Sequence, residues 1–134
     1  MADTLKFELV SPEELLLSGD AFEATVPGVE GEFGVLPQHA PFVSALRPGI
    51  LKVKMADGSD HEIFVRGLAE AGPEALTVLA EFALRVGDYD AEKVASDIRD
   101  AEEDVRDASD EAAKAKAQLN LKHLTDMQAV MAQR

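Results

Sequence analysis

The chain has no cysteine and no tryptophan, and only 5% of its residues are aromatic. Without cysteine there is no disulfide framework and no thiolate chemistry, which suits a reducing compartment. With so few rings, the 46% apolar content must supply a core of aliphatic side chains and alanine. No apolar run approaches the roughly 20 residues that cross a bilayer as a helix. The N-terminal MADTLKFELV also lacks a basic segment followed by an apolar one. A soluble protein on the cytoplasmic side is expected. Catalytic signatures are missing too: there is no phosphate-binding glycine loop, no His-Glu-x-x-His and no serine elbow.

Positive charge is scarce, with 13 basic against 26 acidic residues and a formal net charge of -13. Free nucleic acid and anionic lipid both require cationic surface, so neither is expected as a partner. The charge is unevenly spread. Residues 1 to 87 carry 14 acids and 6 bases, residues 88 to 111 carry 11 and 3, and residues 112 to 134 carry 1 and 4. The tail therefore reverses sign along its length.

At 134 residues the chain can form one domain, or a small domain with an appendage. Leu5, Phe7 and Leu9 alternate with Lys6 and Glu8, the period of a strand with one wet face. Short apolar runs then recur at 14 to 17, 21 to 26, 42 to 46, 50 to 55, 61 to 65, 68 to 71, 76 to 79 and 82 to 86. Turn residues such as Ser18-Gly19-Asp20, Arg47-Pro48-Gly49 and Asp57-Gly58 separate them; the last pair supplies the positive φ angles of a two-residue hairpin. Eight to ten short strands predict a β-sandwich or flattened barrel.

After Gly87 the period changes to that of a helix. Val94, Ile98, Ala101 and Val105 form one stripe, on a helix capped near Asp88 or Asp90. Ala117, Leu121, Leu124, Met127 and Met131 form a second stripe, on a helix from about Glu111 to Met131 that Ser109 could cap. Together they predict a helical hairpin whose alanine-rich seam removes little area from water, so its own core is weak. The division is 1–87 for the sandwich and 88–134 for the helices. Lys114, Lys116 and Lys122 give the second helix a basic face, suited either to the first helix or to an acidic segment of another protein.

The stretch from Gly28 to Gly49 holds four of the nine glycines and three of the six prolines, so its backbone shape is prescribed. It contains Glu30, Glu32 and His39, which read either as an acid/base cluster or as solvated loop side chains. His39, His61 and His123 lack ligand spacing, and no metal is expected.

Within that stretch, EGEFGVLPQHAPFVSALRPG resembles the pattern of the epsilon subunit of bacterial F-type ATP synthases, equivalent to the mitochondrial delta subunit: Glu-Gly-Glu, apolar, Gly, two apolar, Pro, any residue, His-Ala-Pro and a closing Pro-Gly. LVSPEELLLSG and TVLAEFALRVGDYD extend the resemblance over essentially the whole chain. It implies an α+β protein, a ten-stranded β-sandwich followed by an antiparallel two-helix hairpin. It further implies a noncatalytic rotor subunit of the central stalk, one copy per complex, binding the gamma subunit and the c-ring during proton-coupled ATP synthesis. The location implied is the cytoplasmic face of the bacterial inner membrane, reached only through the complex.

By the same resemblance, Glu30, Gly31, Glu32 and His39 would contact the c-ring. Lys114, Lys116 and Lys122 would meet the beta subunit when the hairpin extends into the alpha/beta hexamer and inhibits ATP hydrolysis. Some members bind ATP through an Ile/Leu-Asp-x-x-Arg-Ala motif. Tyr89, Asp90, Lys93 and Val94 stand at those positions here, and Asp100 replaces a further arginine. Lysine lacks the bidentate fork of arginine, so Asp90 and Lys93 are only nucleotide remnants and no cofactor is expected. Two other classes fit the residues alone. One is an enzyme using His39 with Glu30 or Glu32; the other is a free-standing β-sandwich adaptor whose helical hairpin takes an acidic protein partner.

Overall fold

Alternation of Leu5, Phe7 and Leu9 with charged residues makes β1, Leu5–Val10, a strand with one buried face. The computed structural model describes residues 3–134; the first two residues of the N-terminal stretch read for a leader lie outside them. β2 (Leu15–Gly28), β3 (Gly31–Val35), β4 (Phe42–Met55), β5 (Asp60–Ala71) and β6 (Ala75–Arg85) follow. Their hydrogen-bonded order is β1-β6-β5-β4-β2-β3, and a further pairing of β1 with β2 closes the sheet into a flattened barrel. Closure covers the edge of β1, while β3 pairs with β2 alone and, among the described residues, keeps its outer edge open. β1 and β6 run parallel, from Lys6 opposite Ala75 to Val10 opposite Leu79, and the other pairings are antiparallel.

Inward-facing residues of all six strands fill the barrel. Phe7, Val26, Val35, Leu51, Val65, Leu76 and Val78 are wholly inaccessible to water, with no polar or charged residue buried among them. Aliphatic burial of this kind stabilises by roughly 25 cal/mol per Å².

The sequence pattern predicts eight to ten short strands and the resemblance implies ten; among the described residues there are six, because several of the runs continue as single bent strands. Arg47-Pro48-Gly49 is a bulge inside β4, where the register moves from Leu46 opposite Gly67 to Gly49 opposite Val65. Proline has no N–H for the ladder, and a bulge is where a strand tolerates it. Ser18-Gly19-Asp20 also lies within β2, paired without interruption to Glu8, Phe7 and Lys6. Such bends let β2 serve three neighbours, β1 with its first half and β3 and β4 with its second. At Asp57-Gly58 the turn is longer than two residues: Met55 N–H donates to the Ser59 carbonyl at 2.9 Å. Gly58 takes φ +93° there, while Asp57 keeps a negative φ.

A 3-10 turn, Val86–Asp88, ends the first of two compact units, and Tyr89–Arg134 forms the second. In the second, α1 (Ala91–Asp107) is capped by Asp90, whose carboxylate accepts from Glu92 and Lys93 N–H, both at 3.1 Å. α2 (Glu111–Ala132) is capped by Asp110, 2.7 Å from Ala113 N–H. The helix begins at Glu111, where the spacing places it, and the residue in the capping position is Asp110 rather than Ser109. α1 and α2 pack on each other. Val94, Ala101 and Met127 are buried, and the remaining stripe residues are half-buried.

Candidate functional site

The Gly28 to Gly49 stretch is mostly strand. β2 and β3 form a hairpin in which Gly28 pairs with Gly31, leaving Val29 and Glu30 as its tip. Glycine is needed at both ends. At Gly28 a Cβ would stand 2.7 Å from the Phe33 ring and 2.9 Å from the Gly31 carbonyl oxygen, and Gly31 takes φ +131°. A backbone bond from Val29 N–H to the Ala45 carbonyl, 3.3 Å, holds the tip against β4.

Glu30 and Glu32 are exposed here, Glu30 in the turn and Glu32 on β3. Beside them Val29 and Val43 are also exposed, at 58% and 70%. A shallow cleft of about 320 Å³, lined by Val29, Glu30, Phe33, Val43 and Ser44, completes the tip. The tip thus offers charge at its edge and apolar surface beside it, a combination suited to a protein partner.

His39 reaches this hairpin only through rings. It meets Phe42 edge-on with centroids 5.0 Å apart, and Phe42 meets Phe33 at 5.1 Å. Its Nδ1 lies 2.7 Å from the Ala40 carbonyl and donates to it, and among the described residues no hydrogen bond or ion pair joins it to Glu30 or Glu32. The acid/base cluster is therefore not assembled. The preceding residue, Gln38, has the left-handed φ of 70°. Its N–H donates to the Pro73 carbonyl at 2.7 Å, which holds this strained link in place.

The three lysines of α2 do not share a face. At about 100° per residue, Lys114 and Lys122 lie roughly 80° apart and Lys116 about 160° from Lys114. Lys116 lines an open groove with Asp104 and Asp107 of α1. Lys122 pairs with Asp126 at 2.8 Å, whereas Lys114 is exposed with no ion pair among the described residues. Both nucleotide remnants are engaged within α1: Asp90 is its cap and Lys93 pairs with Asp97 at 3.0 Å. No group of three or more metal-ligating side chains occurs among the described residues. Sequence reasoning missed β3 and the apolar tip residues; the available signal was the alternation of Phe33 and Val35 against Glu32 and Gly34, masked by the glycines.

Residues 4–86 match the family model described as the ATP synthase delta/epsilon chain, beta-sandwich domain. An ATP synthase epsilon chain of Maricaulis maris is 48% identical over 133 residues, 98% of this chain and 99% of that one. The chain belongs to the ATP synthase epsilon-chain family. An epsilon chain of Parvibaculum lavamentivorans is 44% identical, over 95% of this chain and 97% of that one. The fold recurs in a chain of the Euglena gracilis mitochondrial ATP synthase, a structure that includes the c-ring. That match has a TM-score of 0.71 and 24% identity, over 96% of this chain and 82% of that chain. An epsilon chain is a noncatalytic subunit of a membrane-associated complex, so the enzyme reading of His39 with Glu30 and Glu32 is set aside.

Proposed function

We propose that the chain couples the gamma subunit to the c-ring in the central stalk of a proton-translocating F-type ATP synthase, one copy per complex, on the cytoplasmic face of the bacterial inner membrane. The β2–β3 tip is the ring-facing edge, with Glu30 and Glu32 supplying charge and Gly31 the turn. His39 supports that edge through Phe42. The observation that carries this reading is the exposed acidic tip on a hairpin braced by β4, in a chain similar over nearly its whole length to epsilon chains. Complementary charge at such a rim fixes register more than it adds affinity.

The second unit is read as the regulatory arm. Among the described residues Lys114 has no ion pair to give up, whereas Lys122 would have to leave Asp126 to meet a beta-subunit carboxylate. The geometry thus favours Lys114 as the first cation to engage. Reversing the tip charges, Glu30→Lys with Glu32→Lys, tests the ring role. Attachment of the ring to the rest of the stalk should weaken about tenfold, as for two exposed pairs lost, and proton-coupled synthesis should fall with it. Unchanged attachment and synthesis would remove the tip from the interface.

A further inference from the structure

Four side chains at one end of the barrel form a hydrogen-bonded chain that the stalk reading does not use. Asp57 Oδ1 accepts from the Ser59 backbone N–H at 2.8 Å and from its hydroxyl at 2.6 Å. Ser59 Oγ lies 3.1 Å from His61 Nε2, and Arg85 Nη1 lies 3.0 Å from His61 Nδ1. A guanidinium can only donate, so Nδ1 must be the acceptor. The neutral ring then carries its proton on Nε2 and donates to Ser59, whose own proton goes to Asp57. Each bond of the chain then joins one donor to one acceptor, and Arg85 specifies the tautomer.

The chain of bonds spans the barrel's exit. Asp57 and Ser59 belong to the turn between β4 and β5, His61 to β5, and Arg85 is the last residue of β6. The polypeptide leaves the barrel next, through Val86–Asp88.

We infer that His61 is a proton-operated latch: neutral, it adds a side-chain bond to the Ile63–Arg85 backbone pairing that ends β6; charged, it withdraws that bond and loosens the strand end. A second proton on Nδ1 sets two donors and two cations against each other where a bond had been. The groups facing the ring are Arg85 from β6, Asp57 from the turn by way of Ser59, and, from β4, the uncharged Val53 opposite it in register. Asp57 stays anionic, because hydrogen bonds from the Ser59 hydroxyl and N–H hold its carboxyl below the usual range. Its charge favours keeping the imidazolium in place while the exposed Arg85 moves into water. The segment from Val86 to Asp88 thereby gains freedom on acidification, whether or not the helices ever reach the catalytic hexamer.

The test is nitrogen-15 NMR on the full-length chain, reading the ring nitrogens of His61 and the amide protection factors of residues 86 to 89 from about pH 8 to about pH 5, the span over which imidazoles change charge. The expected result is an Nε2–H ring at the upper end and protection that falls about threefold to tenfold on acidification, the scale of one lost hydrogen bond. His61→Gln offers an oxygen acceptor and an N–H donor but takes up no proton, so its protection should stay flat. Arg85→Gln should start loose and also stay flat. An Nδ1–H ring at the upper end, flat protection in the unmodified chain, or an equal pH response in His61→Gln would overturn the latch.

Discussion

The barrel and the helical hairpin are built to different standards. In the barrel, large side chains from six strands are wholly removed from water, and the sheet closes on itself. In the helices only Val94, Ala101 and Met127 are buried, and one of these is alanine. Aspartate caps and i,i+4 pairs such as Lys93–Asp97 and Lys122–Asp126 supply the rest, each worth tenths of a kcal/mol to about 1 kcal/mol. The contrast fits a rigid docking unit joined to an arm that can change partners: breaking the barrel is expensive, and rearranging the helices is cheap.

The largest expected effect lies in the barrel. Phe7→Ala empties a fully buried site and should lower unfolding free energy by about 3–5 kcal/mol in urea titrations. A loss no greater than that of a helix cap would contradict the division of stability. In the arm, Asp110→Ala should cost about 1 kcal/mol. The loss should appear as fraying of the first turn of α2 by NMR while the barrel amides keep their protection. Global loss of protection would mean that the two units unfold as one.

The smallest effect concerns acid. The carboxyl of Asp57 is held below 3.8 in the folded chain, chiefly by the Ser59 hydroxyl and then by its N–H. A depressed value contributes stability that is present above the ordinary carboxylate range and lost as pH falls through the depressed value. The advantage of the native chain over Asp57→Asn should therefore be constant near neutrality and shrink below about pH 4. An advantage that grows in acid would reverse the sign of this assignment.

Much of this contrast could be read from the residues. The alternation of Leu5, Phe7 and Leu9 marked β1, and the spacing of Val94, Ile98, Ala101 and Val105 marked α1, because burial on one face imposes its period on the sequence. What escaped was long-range or degenerate. Arg47-Pro48-Gly49 has turn chemistry yet forms a bulge, since the same residues satisfy both. β3 is short and carries two glycines, which hid its alternation. Parallel pairing of Lys6 with Ala75 joins positions far apart in the chain and leaves no local mark. At the candidate site the acidic tip was legible as a motif. The separation of His39 from Glu30 and Glu32 required the fold, whereas that of Lys116 from Lys114 follows from helical spacing alone.

The most direct test of a rigid coupling unit with a dispensable regulatory arm is to truncate the chain after Gly87 and measure both assembly and ATP hydrolysis of the purified complex. The barrel's core and closure lie entirely before that point. The complex should still assemble with gamma and the ring and support synthesis, while hydrolysis rises severalfold, as for about 1 kcal/mol of inhibitory contact removed. Failure to assemble, or hydrolysis identical to that of the full-length complex, would contradict the division of roles.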